Sequence, residues 1–277
     1  MFLMDIRRYL LPLIPLVIVG CSSVGMQSPL AKFEQSHVFY PTKFPDGNYG
    51  STTGLEYEDA FFTAADGTRL HGWFVLHENP RAVALFAHGN AGNVSHRAES
   101  LKLLHDRHQL AVLAFDYRGY GRSDGEPSEE GLLQDARAAR AWLAKRMGIA
   151  ETDILLMGRS LGGAVVVDLA SSDGARGLVL ASTFSKLPEV AKHHMPLLPT
   201  GLLMRNRFDS ESKIKNYHGP LLQSHGDADR VVPYELGKRL HAAAVGPKQF
   251  ITIPGGRHND RQTEEYRRAF DQFLDSI

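Results

Sequence analysis

One cysteine, Cys21, stands among 277 residues. No disulfide can close within the chain, so stability must come from a packed core, even in a compartment that permits disulfides. Net charge is also missing: 31 basic side chains face 31 acidic ones, with the signs mixed along the sequence. Nothing in that balance suggests the basic face by which a protein grips nucleic acid. The N-terminal apolar run, Tyr9 to Val19, is broken by Pro12 and Pro15. It is shorter than the ~20 residues that a spanning helix needs. There is no internal repeat and no low-complexity tract. His193 and His194 have no carboxylate or cysteine at ligand spacing, so no metal site is read there, and no cofactor is expected.

What is present begins at the N-terminus. Arg7 and Arg8 precede the apolar run, the pattern of a signal-peptide core. Ile18-Val19-Gly20-Cys21 resembles the bacterial lipobox. A lone thiol can be a nucleophile, but no fold surrounds Cys21. The expectation is a lipoprotein signal peptide over 1–20 and acylation at Cys21, with an uncleaved signal anchor as the alternative. Ser22 follows Cys21, and by resemblance to Gram-negative lipoproteins this implies the outer membrane, facing the periplasm. Residues 21–54 then form a tether and lead-in segment, and 55–277 the folded domain. Membrane association would come from the lipid and not from a basic patch.

The most informative run is Met157-Gly158-Arg159-Ser160-Leu161-Gly162-Gly163. The apolar stretch Asp153–Met157 leads in and the small, apolar stretch Ala164–Ala170 leads out. That reads as strand, sharp turn and helix, with Ser160 at the tip and glycines where bulk would collide. The bland reading is a glycine-rich turn with Ser160 capping a helix. Catalysis requires partners downstream. Pro220–His225 reads as a strand that ends in Gly226-Asp227-Ala228-Asp229, and Gln249–Ile253 as a strand that ends in Gly255-Gly256-Arg257-His258. Loops of this kind gather at the carboxyl ends of parallel strands, the edge where Ser160 also sits. His258 would take the serine proton, and an aspartate would fix its tautomer. Asp227 and Asp229 both remain open for that role, and one of them is a turn former.

A tetrahedral intermediate also needs two N–H donors for its oxyanion. Arg81–Ala87 is a buried-strand run that ends in His88-Gly89-Asn90-Ala91-Gly92-Asn93. One donor is expected from Leu161 and the other from Asn90, with Ala91 next. His88 reads as structural, since His258 holds the right place in chain order. The Asp116–Gly121 loop also lies at a strand end and reads as held by its own Arg and Asp contacts. The remaining elements alternate. Strands are expected at Glu56–Thr63, Arg69–Leu76 (turning at Asp66-Gly67), Leu110–Asp116 and Gly177–Ser182. Helices are expected at Arg97–Arg107, Glu129–Arg146 (closed by Gly148), Tyr234–Ala243 and Arg261–Asp275. This is an α/β fold with a mostly parallel central sheet and helices on both faces. Within Thr183–Tyr217, the apolar Leu187-Pro188, Met195–Pro199 and Leu202–Met204 read either as a wall for an acyl chain or as packing beneath a connection.

With these pieces assembled, the chain resembles an alpha/beta-hydrolase from about Leu55 to its end. It is similar to the lid-poor branch of Bem-type hydrolases and mammalian alpha/beta-hydrolase-domain serine hydrolases, some of which remove palmitoyl groups from protein cysteines. His88–Asn93, Asp116–Ser123, the serine elbow, His225–Pro233 and Gly256–Asn259 carry the resemblance. The family pattern places the acid three residues after a glycine and before Val/Ile-Pro, which implies Asp229. The elbow implies Ser160, and the glycine-x-x-histidine loop His258. The resemblance implies an alpha/beta-hydrolase fold with a short lid and a serine hydrolase of carboxylic esters or thioesters. Its partners would be small-molecule or lipid esters and a membrane reached through the lipid anchor. The alternatives are a serine peptidase on the same residues and a non-catalytic envelope binding protein.

Overall fold

Apolar runs of five to seven residues alternate with amphipathic ones, and the backbone follows them. The computed structural model describes residues 34, 38–50 and 54–277; the expected signal peptide and Cys21 lie outside the described residues. One sheet contains β1 (Glu58–Thr63), β2 (Arg69–Val75), β3 (Ala82–Ala87), β4 (Leu110–Asp116), β5 (Leu155–Arg159), β6 (Gly177–Ala181), β7 (Leu221–Gly226) and β8 (Lys248–Ile253). Their order is β8-β7-β6-β5-β3-β4-β2-β1. The β1–β2 and β2–β4 pairs are antiparallel. Every other neighbouring pair is parallel.

The helices are α1 (Ala98–Asp106), α2 (Glu129–Met147), α3 (Leu161–Asp173), α4 (Leu187–His194), α5 (Thr200–Leu203), α6 (Ser210–Lys213), α7 (Tyr234–Ala243) and α8 (Glu264–Ser276). Strand residues of both parities are apolar, as a sheet covered on two faces requires. Val83, Leu85, Leu113 and Phe115 pack with Leu132 and Leu143 of α2, Val165 and Leu169 of α3 and Leu240 of α7. Ala84, Leu110 and Val112 face the other way, toward Leu101 of α1 and Phe270 and Leu274 of α8. Each fully buried leucine contributes about 2 kcal/mol, and this two-faced core replaces the missing disulfides.

Capping sets the helix ends. Ser128 Oγ accepts from Gly131 N (3.1 Å) at the start of α2, and Gly148, at φ +66°, closes it in the left-handed region. The last helix begins at Glu264, three residues later than the expected Arg261. Thr263 Oγ1 accepts from Tyr266 N (3.2 Å), and Arg257 N donates to Asp260 Oδ2 (2.8 Å) in a turn of its own. β1 starts at Glu58 instead of Glu56.

Over residues 38–50 the expected tether and lead-in segment packs onto the domain. Phe39 is buried. Tyr40–Pro41 pairs in parallel with Ala91–Gly92. Thr42 N donates to Gly92 O (3.1 Å), and Phe44 N to Gly121 O (2.9 Å). The short lid, between β6 and β7, holds α4, α5 and α6. Among the described residues no helix is long and apolar enough to cross a membrane.

Candidate active site

β5 ends at Arg159 and α3 begins at Leu161, so Ser160 alone turns the chain. Its φ is +52° and its ψ −119°, a conformation that residues with side chains rarely occupy. The surroundings fix it. Ser160 N donates to Ala181 O (2.9 Å), while Ser160 O accepts from Gly163 N (2.9 Å) and Thr183 Oγ1 (2.8 Å). A Cβ on Gly162 would stand 2.0 Å from Ala87 O, and one on Gly158 would stand 2.4 Å from Gly162 O. Both obstacles are backbone and cannot swing away. Gly162→Ala is therefore expected to cost roughly 3 kcal/mol, measured as a lower urea midpoint at unchanged m. A loss within 0.5 kcal/mol, the scatter of neutral surface changes, would mean that the elbow yields.

The half-buried Ser160 has two partners at the same sheet edge. His258, in the loop after β8, lies with Nε2 3.2 Å from Ser160 Oγ and Nδ1 2.7 Å from Asp229 Oδ2. A carboxylate only accepts, so Nδ1 carries the proton and the Nε2 lone pair faces the hydroxyl. Asp229 follows β7 and is fully engaged. Its Oδ1 accepts from Val231 N (2.8 Å) and Val232 N (2.9 Å). Burial alone would raise its pKa. Hydrogen bonds from His225, His258 and the Val232 N–H outweigh that and hold the carboxyl well below the usual range. Asp227 is elsewhere: its Oδ1 accepts from Gly255 N (2.6 Å) and ties the two loops together.

The structure gives a role to His225, which ends the expected strand and opens the His225–Pro233 stretch of the resemblance. Its ring is fully buried at the end of β7. His225 Nε2 lies 3.0 Å from Val232 O and 3.2 Å from Asp229 Oδ2. Both partners are acceptors, so this nitrogen is the donor to both. Asp229 is thus gripped from behind as His258 meets it from the front. Arg159 has a role too: its guanidinium donates to His258 O and ties the histidine loop to the elbow.

The other expected residues gather around them. Gly89 lies against the elbow, since a Cβ there would stand 3.5 Å from Ser160 Cβ. Asn90 follows and is pinned by its side chain. Its Oδ1 accepts from Tyr120 OH (2.9 Å) and Tyr40 N (3.2 Å), and its Nδ2 donates to Val38 O. Ala91 is drawn into the pairing with Tyr40. Leu161 is the first residue of α3, where backbone N–H groups lack helical partners. His88 is fully buried, with Nδ1 2.7 Å from Gly89 O, and burial pushes its pKa down to about 3. It stays neutral between Tyr117 and Tyr120.

Arg118 is held by Asp135 (2.8 Å) and Asp66 (2.7 Å). The Asp116–Gly121 loop is thereby braced, and through Tyr120 it braces Asn90. The lid meets the site at His194, whose Nε2 donates to Val231 O (2.8 Å). Leu197 and Leu202 point away from any packing, 95% and 87% exposed. They are not buried support beneath a connection.

Comparisons with known proteins add four likenesses. Residues 78–210 match the family described as "Serine aminopeptidase, S33". The uncharacterized protein Rv2307c of Mycobacterium tuberculosis is 37% identical, over 94% of this chain and 92% of that protein. Alpha/beta hydrolase domain-containing protein WAV2 of Arabidopsis thaliana is 33% identical, over 80% of this chain and 79% of its own. In fold, the chain is similar to the solved structure of the Pyrococcus furiosus esterase Pf2001, with a TM-score of 0.70 at 20% identity. That likeness covers 85% of this chain and 98% of that one.

Proposed function

The chain belongs to the alpha/beta-hydrolase superfamily, and on that premise we propose that it is a serine hydrolase of carboxylic esters or thioesters, working through an acyl-enzyme intermediate. The observation that carries this reading is the continuous path from Ser160 Oγ through the His258 ring to Asp229, 3.2 Å and 2.7 Å long. Ser160 Oγ attacks the carbonyl carbon while His258 Nε2 takes its proton. Asp229 keeps the imidazole in the required tautomer and stabilises the imidazolium. The Leu161 and Asn90 N–H groups receive the oxyanion, each contributing about 3 kcal/mol to the transition state. His258 then returns the proton to the departing alcohol or thiol. Water enters by the same route in reverse and frees the acid.

The family description makes an aminopeptidase the second reading. Such an enzyme needs an acidic anchor for the substrate ammonium. The carboxylates of the neighbouring loops, Asp227 and Asp260, are taken up by Gly255 N and Arg257 N. This favours esters. Acylation at Cys21 would place the enzyme at the cell envelope, on the outer membrane and facing the periplasm.

The test is a panel of aryl esters graded by acyl length, together with a thioester and an aminoacyl amide. Esters and thioesters should turn over with an initial burst, and the amide at least ~10²-fold more slowly, because its leaving group depends fully on proton donation. Amide turnover equal to ester turnover would shift the reading to a peptidase. No turnover of any member would leave a binding role.

A further inference from the structure

The lid contains a surface that water does not suit. Between Glu189 and Asp209 the sequence carries no acidic residue, but it has Lys192, Arg205 and Arg207. The two bracketing acids are engaged elsewhere, Glu189 with Arg239 and Asp209 with Lys186. Leu197 is 95% exposed and Leu202 87%, with Leu198 and Leu203 beside them. These leucines are held outward by construction. Thr200 is buried and donates through Oγ1 to Pro188 O (2.7 Å), and Leu202 N donates to Pro199 O (2.9 Å). Contiguous apolar side chains of this kind on a built turn mark an interaction surface.

The N-terminal chain arrives at the same place. The carboxylate of Glu34 accepts from Arg205 N (2.9 Å), Asn206 N (2.8 Å) and Asn206 Nδ2 (3.0 Å). Cys21 precedes Glu34 by 13 positions, a span of at most about 45 Å. An acyl group at Cys21, or the uncleaved signal anchor in its alternative, is therefore leashed to the leucine-bearing face. Leucines flanked in sequence by Lys192, Arg205 and Arg207, where Glu34 and Glu129 are taken up by the Arg205, Asn206 and Arg207 N–H groups, suit the headgroup region of a bilayer and its phosphates. The surface also borders the candidate site, because His194 bonds Val231, two residues from Asp229.

We propose that Val190–Phe208 docks on a lipid bilayer. Its leucines enter the boundary between headgroups and acyl chains, Lys192, Arg205 and Arg207 meet lipid phosphates, and the candidate site opens toward the membrane. The surface itself stands whether or not Ser160 is the nucleophile.

The test uses the full chain reconstituted in phosphatidylcholine vesicles containing about one-third phosphatidylglycerol, a composition chosen for its negative surface potential. A Leu202→Trp variant adds an indole to the patch, and the parent protein, with Trp73 and Trp142, is the control. On vesicles the added emission should shift to the blue and be quenched by lipids brominated along the acyl chain. The same quenching should appear with Ser160→Ala combined with Leu202→Trp, which separates docking from catalysis. Leu197→Asp with Leu202→Asp alters only exposed side chains. It should leave hydrolysis of a dispersed ester unchanged and slow hydrolysis of a vesicle-embedded ester by roughly tenfold. Emission that neither shifts nor is quenched on vesicles would overturn the proposal. So would a blue shift that grows with protein concentration in the absence of lipid, which would identify a second copy of the chain as the occupant.

Discussion

Ser160→Ala is expected to abolish labelling by a fluorophosphonate probe and to lower kcat by roughly 10⁶-fold. The probe needs a hydroxyl activated by a neighbouring base, and the elbow supplies one. Nearby hydroxyls are committed. Thr183 Oγ1 donates to Ser160 O, and Ser224 Oγ accepts from Gln262 Nε2 (3.1 Å). Alanine leaves the turn intact, because the contacts that hold residue 160 at φ +52° run through its backbone and its glycine neighbours. Stability should therefore stay within about 0.5 kcal/mol of the parent, as for a change that creates no buried fault. Activity is read from turnover of an aryl ester, and labelling from a gel of the probe-treated protein. Labelling that persists at another residue would remove Ser160 from the nucleophile's role.

What could be read in the sequence was local. The elbow announced itself because its geometry depends on Gly158, Ser160 and Gly162 within five residues. The strands announced themselves through apolar runs buried on two faces. The acid was not settled by spacing alone, since Asp227 and Asp229 lie in one loop. The backbone path separates them: Asp229 N donates back to Gly226 O (3.2 Å), which curls its carboxylate over the strand end, while Asp227 turns to Gly255. The grip of His225 on Asp229 was hidden because a histidine in an apolar strand reads as core. The support for Asn90 from Val38, Tyr40 and Tyr120 spans 30 to 52 residues, so no periodicity betrays it. Hydropathy marked Leu197 and Leu202 as apolar, but it cannot tell which side of a turn faces solvent. Pro188, Pro199 and Thr200 decide that.

Asp229→Asn should lower kcat by roughly 10⁴-fold, while Asp227→Asn, whose amide oxygen can still accept from Gly255 N, should stay within tenfold. The difference follows from donors and acceptors. Four N–H groups point at the Asp229 carboxylate: Val231, Val232, His225 and His258. An asparagine can offer its carbonyl oxygen to the two backbone groups. Its NH₂ then meets His225 Nε2 and His258 Nδ1, each carrying a proton. The conflict is relieved at His258 only if Nδ1 gives up its proton and Nε2 takes one. That tautomer presents N–H to Ser160 Oγ and has no lone pair to receive the hydroxyl proton.

The acid's environment gives a second readout. The Asp229 carboxyl is held below the ordinary range in the folded chain, so its contribution to stability is complete above the unfolded value, near pH 4, and fades as pH falls toward the folded value. The asparagine variant lacks that term. Its unfolding free energy should change less than the parent's as pH drops from about 5 to 3. Chemical denaturation at graded pH measures it. A steeper slope in the variant, or a crippled Asp227→Asn beside an active Asp229→Asn, would move the acid's role away from residue 229.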